Sequence, residues 1–311
     1  MIALLMAALV VRECARCHPA EAKPHPATSM ARAMQPASDS AILQDHSVLE
    51  VKKGQYSYRI EKNLYTVSDG TQSLTFPISW SFGLGDAGQT YVFEKDDTPY
   101  ESRVSFFRAI NGLDWTLGAT NTAPVNLLQA AGRVISRPEA VQCFGCHSTK
   151  KAAALEPGIQ CERCHGPTEA HLTALKPMKK LGQGGAEEIS TFCGQCHRTW
   201  ADIAGQGLLG VGNVRFQPYR LTNSKCFDVD DKRISCLGCH NPHQELDRND
   251  AHYDAKCQAC HAGGKPTAKA CKVSKSNCVS CHMPKIEMPG SHYRFTDHQI
   301  RIARANERYP N

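Results

Sequence analysis

The chain has 311 residues, with 36 Lys and Arg against 30 Asp and Glu, 16 cysteines, 14 histidines and a formal net charge of +6. That length allows two or three domains, but aromatics are only 7% of the residues, so side chains alone would bury a thin core and something else is expected to fill the interior. The positive balance includes no long basic run, only pairs such as Lys150-Lys151 and Lys179-Lys180, which reads as a solvated surface and argues against a nucleic-acid partner.

In chain order, the start "MIALLMAALVV" is apolar but has no positive n-region and no small-residue cleavage site. It is shorter than the roughly 20 apolar residues that span a bilayer, so no membrane span is expected in the chain as written. It resembles the tail of a secretory h-region, and the expectation is an export signal that is incomplete here; an ordinary buried helix or strand is the alternative. Residues 1–45 are read as an N-terminal arm carrying the unit "CARCH" at 14–18, with an Ala/Pro/Ser-rich stretch over 22–40. Residues 46–118 read as a small antiparallel β domain of five or six short strands. "YSYRI" alternates from Tyr56 to Ile60, and "NLYTV" and "QSLTF" flank the hairpin signal Ser68-Asp69-Gly70. "ISWSF", "QTYVFEK" and "YESRVSFF" follow, with a Gly-rich turn after the first. Residues 119–140 read as a linker, and 141–311 as a second domain dense in cysteine and histidine.

The unit Cys-x-x-Cys-His occurs seven times: "CARCH" (14–18), "CFGCH" (143–147), "CERCH" (161–165), "CGQCH" (193–197), "CLGCH" (236–240), "CQACH" (257–261) and "CVSCH" (278–282). This is the attachment pattern of c-type haem. On one helical turn, residues i, i+3 and i+4 share a face. The two thiols then reach the vinyl groups on one porphyrin edge, and the next imidazole turns under the ring to ligate iron. Zinc sites also use Cys-x-x-Cys pairs, but zinc does not require a histidine directly after the second cysteine. Disulfide oxidoreductases carry one such motif in a βαβ setting, which is not evident here.

The expectation is therefore seven covalent haems. Their thioether cysteines are Cys14, Cys17, Cys143, Cys146, Cys161, Cys164, Cys193, Cys196, Cys236, Cys239, Cys257, Cys260, Cys278 and Cys281. Their proximal ligands are His18, His147, His165, His197, His240, His261 and His282. Each haem brings two propionates, roughly fourteen negative charges in all, which would turn +6 into about −8. The Lys and Arg excess then reads as propionate compensation.

Half of the histidines remain: His25, His46, His171, His243, His252, His292 and His298. They match the number of distal positions if every iron is six-coordinate. The chain from His240 to His243 is too short to wrap one ring, so His243 is expected to serve a neighbouring haem. Met178 and Met288 are alternative axial ligands. Cys226 and Cys271 stand outside the motifs, as a disulfide or as free thiols. The first haem would lose its hydrophobic gain if exposed on both faces, so the arm is expected to fold onto the C-terminal cluster or a neighbouring subunit. Motif starts at 236, 257 and 278 are spaced as a repeated helix-and-loop unit.

The words "CARCHPAEA", "CERCHGPTEAH", "FQPYRL", "ISCLGCHNPH", "CVSCHMPK" and "FTDHQIRI" resemble periplasmic and extracellular multihaem c-type cytochromes, including the tetrahaem cytochrome of ammonia oxidisers and the doubled Cys-x-x-Cys-His proteins. The segment "WSFGLGDAGQTYVFEK" is similar to an insert between the first two haems in one branch, in which tetratricopeptide repeats often follow "TDH". The resemblance covers nearly the whole chain. It implies an α+β fold with extensive irregular structure: a multihaem cytochrome with a haem-packed core, short helices and a small antiparallel β insert. It also implies distal roles for His171, His243 and His298.

The leading expectation is electron transfer through mostly or entirely bis-histidine haems, in the periplasm or outside the cell. Redox partner proteins, and self-association into an oligomer or conductive filament, would go with it. The rival is an enzyme acting on a small nitrogen or sulfur compound, which would need an open iron position. The Cys-x-x-Cys-Lys motif of nitrite reductases is missing: Lys272 follows Cys271, but position 268 is Ala.

Overall fold

A computed structural model of the chain describes residues 13–149, 155–262, 269–304, 306–307 and 309–310. The apolar start, and with it the expected export segment, lies outside the described residues. The chain divides into two compact units, Met1–Arg163 with Pro289–Tyr293, and Cys164–Met288 with Arg294–Asn311.

The first unit is built on an antiparallel sheet. Its strands are β1 (Met34–Pro36), β2 (Val48–Lys53), β3 (Tyr56–Glu61), β4 (Leu64–Ser68), β5 (Ser73–Phe82), β6 (Gln89–Lys95), β7 (Thr98–Phe107), β8 (Gly112–Trp115) and β9 (Gly132–Val134). Strands β2 to β8 lie in sequence order, with β1 added to β5 and β9 to β7. The period of two decides which residues are inside: in β3, Tyr56, Tyr58 and Ile60 are buried while Ser57 and Glu61 face out. The hairpin at Ser68–Gly70 forms because the Asp69 carboxylate accepts from the N–H groups of Thr71 and Gln72, both at 2.8 Å, and Gly70 takes φ +92°. Aromatic rings pack through the centre, with Phe76 on Phe93 at 4.5 Å and Phe93 on Tyr100 at 5.3 Å.

The sheet is larger than the sequence suggests. "QSLTF" and "ISWSF" form one strand across Pro77, where β5 passes from β4 to β6 and a bulge follows between Ile78 and Trp80. A proline without an N–H is tolerated at such a handover. The segment read as a linker supplies helix Leu127–Ala131 and strand β9, and Ala130 and Ala131 are fully buried in the sheet core. Part of the arm is sheet as well, since Met34 pairs with Phe82. Beyond it, the Ile159 N–H donates to Met30 O at 3.0 Å. Gly158 lies so near the arm that a Cβ there would stand 1.8 Å from Ala31 O, and its φ of +72° also favours glycine. The arm thus packs along residues 147–160 of its own unit.

Among the described residues, the second unit is made of short helices joined by irregular chain, with one two-stranded pair, β10 (Lys285–Glu287) and β11 (Arg294–Thr296). The hydrophobic core cluster of the described residues lies within residues 37–131, all in the first unit. The second unit instead buries Arg220. Its guanidinium donates to Asp297 at 2.9 and 3.0 Å, to Gln299 Oε1 and to Pro310 O, and lies 4.6 Å from the Tyr309 ring centre. This network ties helix Gln217–Thr222 to the chain around His298.

The expected helix-and-loop repeat does not appear. Cys236–Cys239 is a single turn capped by Ser235, whereas Cys257 sits late in the twelve-residue helix Asp250–His261, which starts at its own Asn249 cap. The helix Cys278–His282 is capped in trans, with the Asp254 carboxylate accepting from the N–H groups of Asn277 at 2.6 Å and Cys278 at 2.8 Å. Equal motif spacing is met by three different local solutions.

Candidate haem-binding sites

Every Cys-x-x-Cys-His motif lies on a helical turn. Residues 14–17 are helical and the His18 N–H closes the turn on Cys14 O at 2.8 Å. The others lie in helices Arg137–His147, Cys161–His165, Ala186–His197, Cys236–Cys239, Asp250–His261 and Cys278–His282. Prolines follow closely and start a new course: Pro19 opens the next short helix, and after Pro242 the Asn241 side chain accepts from the His243 N–H at 3.0 Å. That Asx turn carries His243 away from His240.

The imidazoles are oriented by main-chain carbonyls. Nδ1 lies 3.0 Å from Ala33 O in His147, 2.9 Å from Lys179 O in His165, 2.8 Å from Lys269 O in His261 and 3.0 Å from Arg301 O in His282. Among the spare histidines, Nδ1 of His171 meets Lys176 O and Nδ1 of His298 meets Thr296 O, both at 2.9 Å. A carbonyl only accepts, so Nδ1 carries the proton and Nε2 keeps its lone pair. That arrangement orients a metal-ligating histidine and raises its basicity. His252 has Asp247 at 3.5 Å from Nδ1 in the same sense.

Two pairs of rings face each other in the second unit. His165 and His243 have centroids 5.9 Å apart with planes within 10°. His240 and His298 stand 6.2 Å apart at 45°. With metal–nitrogen bonds of roughly 2.0 Å, two imidazoles trans across one iron have centroids about 6 Å apart. Each pair joins a motif histidine to a spare one, and His243 faces His165, not its own neighbour His240. Among the described residues, no group of three or more His, Cys, Asp and Glu converges as a metal cluster. The donor sets fit haem iron. Burial pushes the His298 imidazole down to about 4, with His240 adding to the effect, and His240 is also lowered, first by its burial. Both rings are therefore neutral near pH 7, the state that ligates a metal.

Sulfurs of different motifs also meet. Cys14 lies beside Cys161, whose thiol is pushed up to about 11 by burial and this neighbour. Cys236 lies beside Cys193 and raises it well above the ordinary thiol range. Cys257 lies beside Cys278. All sixteen cysteines are outside disulfides, so Cys226 and Cys271 are unbridged, the former half-buried and the latter exposed. A cleft of about 680 Å³ beside the Cys236–Cys239 turn is lined by Leu237, Gly238 and His252 together with the cations Lys232, Arg233 and Lys256. An apolar wall rimmed by cations is what a dicarboxylic ring requires.

Two spare histidines are placed differently. His46, at the end of helix Ala41–Asp45, has Nδ1 on Ile42 O at 2.8 Å and Nε2 on Asn111 Oδ1 at 3.0 Å, with its ring 5.1 Å from Phe106. His292 has Nε2 on Asp114 Oδ2 at 2.8 Å and its ring 4.9 Å from Phe107. His25 is buried in the first unit. Met288 is buried and Met178 is half-exposed. Sequence reasoning missed Asp114, Asn111 and the orienting carbonyls. The first two sit in strand and turn words without a chemical motif, and a carbonyl leaves no trace in residue type.

No family model matches the chain, and no curated protein matches it. Among solved structures, the crystal structure of outer cell wall cytochrome OcwA matches with a TM-score of 0.37 and 18% identity, over 60% of this chain and 36% of that one. The chain thus spans about a third of the length of that cytochrome.

Proposed function

We propose that the protein is an electron carrier that binds seven c-type haems covalently through its seven Cys-x-x-Cys-His motifs. The single observation that carries this reading is the facing of His165 with His243 and of His240 with His298, at the separation two imidazoles adopt across one iron. The carbonyl-bound Nδ1 atoms support it, because a carbonyl on Nδ1 places the proton there and the lone pair on Nε2. Haems would supply the interior that the second unit's own apolar side chains leave small, and Lys232, Arg233 and Lys256 would receive propionates. The meeting of Cys14 with Cys161, Cys193 with Cys236 and Cys257 with Cys278 supports three close haem pairs, since each sulfur is bonded to the edge of its own porphyrin.

A haem with histidine on both faces has no open iron position; it passes electrons without binding substrate. Imidazole ligands favour ferric iron more than a thioether does, so these haems belong at the low end of the potential range. The carrier works in the periplasm or outside the cell, with redox proteins as donor and acceptor and with self-association into an oligomer or filament as an available mode. Among the described residues no helix is long and apolar enough to cross a membrane. A spectroelectrochemical titration of the matured protein tests the reading: seven electrons per chain are expected, most of them taken up over a broad low-potential window. Fewer than seven, or no haem spectrum, would overturn it.

A further inference from the structure

We infer that His46 and His292 are not iron ligands but fasteners of the sheet unit, so that this chain supplies a histidine sixth ligand to at most five of its seven irons. The inference rests on the haem reading above and deepens it.

The argument starts from the ring nitrogens. His298 presents Nδ1 to a carbonyl, which leaves Nε2 for a metal. His292 does the reverse: Nε2 is the atom held, by the Asp114 carboxylate at 2.8 Å, which leaves an iron only Nδ1, the nitrogen crowded by the residue's own Cβ and backbone. That carboxylate sits on β8 in a built site, receiving Lys53 Nζ of β2 at 2.5 Å and the Trp115 N–H at 2.7 Å. Burial alone would raise Asp114, but these three donors outweigh it and hold its carboxyl below the usual range. The ion pair joins the two ends of the strand order, and His292 pins the segment Pro289–Tyr293 onto them. His292 does so from a left-handed backbone, φ +50°, which a side chain with a Cβ adopts only when its surroundings enforce it. Releasing Nε2 to an iron would leave Asp114 short of a partner and the strain unsupported.

His46 is held at both nitrogens, by Ile42 O and by the Asn111 side chain, which itself sits at φ +45°. The two rings rest on neighbouring residues of one strand, Phe106 and Phe107. All fourteen histidines lie among the described residues, so the count is complete. Seven belong to motifs, two fasten the sheet, and five remain for seven distal positions. The other two irons take a thioether or a small exogenous molecule.

The test uses matured holoprotein, monomeric by gel filtration, with haem content first fixed by pyridine haemochrome. A content well below seven would defeat the haem reading itself, separately from this inference. At seven haems, quantitative EPR of the oxidised protein is expected to show no more than five bis-histidine low-spin haems. The remaining two should appear as high-spin iron that binds carbon monoxide on reduction, or with the near-infrared band of methionine ligation. His46→Ala, His292→Ala and Asp114→Asn, the last keeping the histidine in place, should leave the bis-histidine count unchanged. Six or seven bis-histidine signals in the wild type, or the loss of one in either histidine variant, would overturn the inference.

Discussion

Replacing Arg220 with methionine removes a buried cation that makes four hydrogen bonds. The guanidinium and the Asp297 carboxylate are both fully buried, and Arg220 reaches Asp297 twice, Gln299 once and Pro310 O once. Breaking a buried ion pair on one side costs about 3–5 kcal/mol, because the other charge is left without its partner. Asp297 is not wholly abandoned, since Arg301 stays at 2.6 Å and the Gln299 N–H at 3.0 Å. The low end applies, about 3 kcal/mol, or roughly a 150-fold rise in the unfolded population. The loss should be local to the second unit and should reach the iron, because His298 follows Asp297 directly and faces His240. Denaturant unfolding followed at the haem absorption measures the first effect, and the high-spin fraction of the ferric spectrum measures the second. The double variant Arg220→Met with Asp297→Leu removes both charges and should recover most of the stability. An Arg220→Met protein of unchanged midpoint and unchanged spin state would refute the claim that this network positions His298.

Other outcomes follow from single contacts. His243→Ala and His298→Ala should each convert one low-spin haem to high-spin, and not the same one, so the double variant should show two more high-spin haems by EPR than the wild type. Asp254→Ala should destabilise the Cys278–His282 turn by about 1–2 kcal/mol, the ordinary worth of a helix cap, seen as a lower thermal midpoint and as underoccupied haem at that motif by peptide mass mapping. Asp114 is depressed in the folded state, so its contribution is present above the unfolded carboxylate value of about 4 and lost as pH falls below it; acid unfolding of the sheet unit should be less steep in Asp114→Asn. Chain produced without haem attachment should keep a protease-resistant fragment from the sheet unit, whose core is protein, while residues 164–288 are digested.

The strands were legible where alternation is strict, as in "YSYRI", and where a turn signal is local, as at Ser68–Gly70. They were hidden where long-range pairing decides. β1 and β9 are three residues each and exist only because β5 and β7 offer edges, and Pro77 hides a strand that changes partner. The motif turns could be read directly, since Cys-x-x-Cys-His needs only one helical turn. Which histidine faces which is not written locally: His165 and His243 are 78 positions apart. Nor can a count of spare histidines see that His292 is claimed by Asp114, because that competition arises only when β8 and the segment at 289–293 meet.

The most direct measurement on the central claim is the intact mass of the matured, denatured protein. Thioether haems survive denaturation, so a mass equal to the polypeptide plus seven haems is expected, with a haem-bearing peptide from each motif on digestion. A mass equal to the bare polypeptide, with or without the loss of hydrogen expected for disulfides, would contradict it.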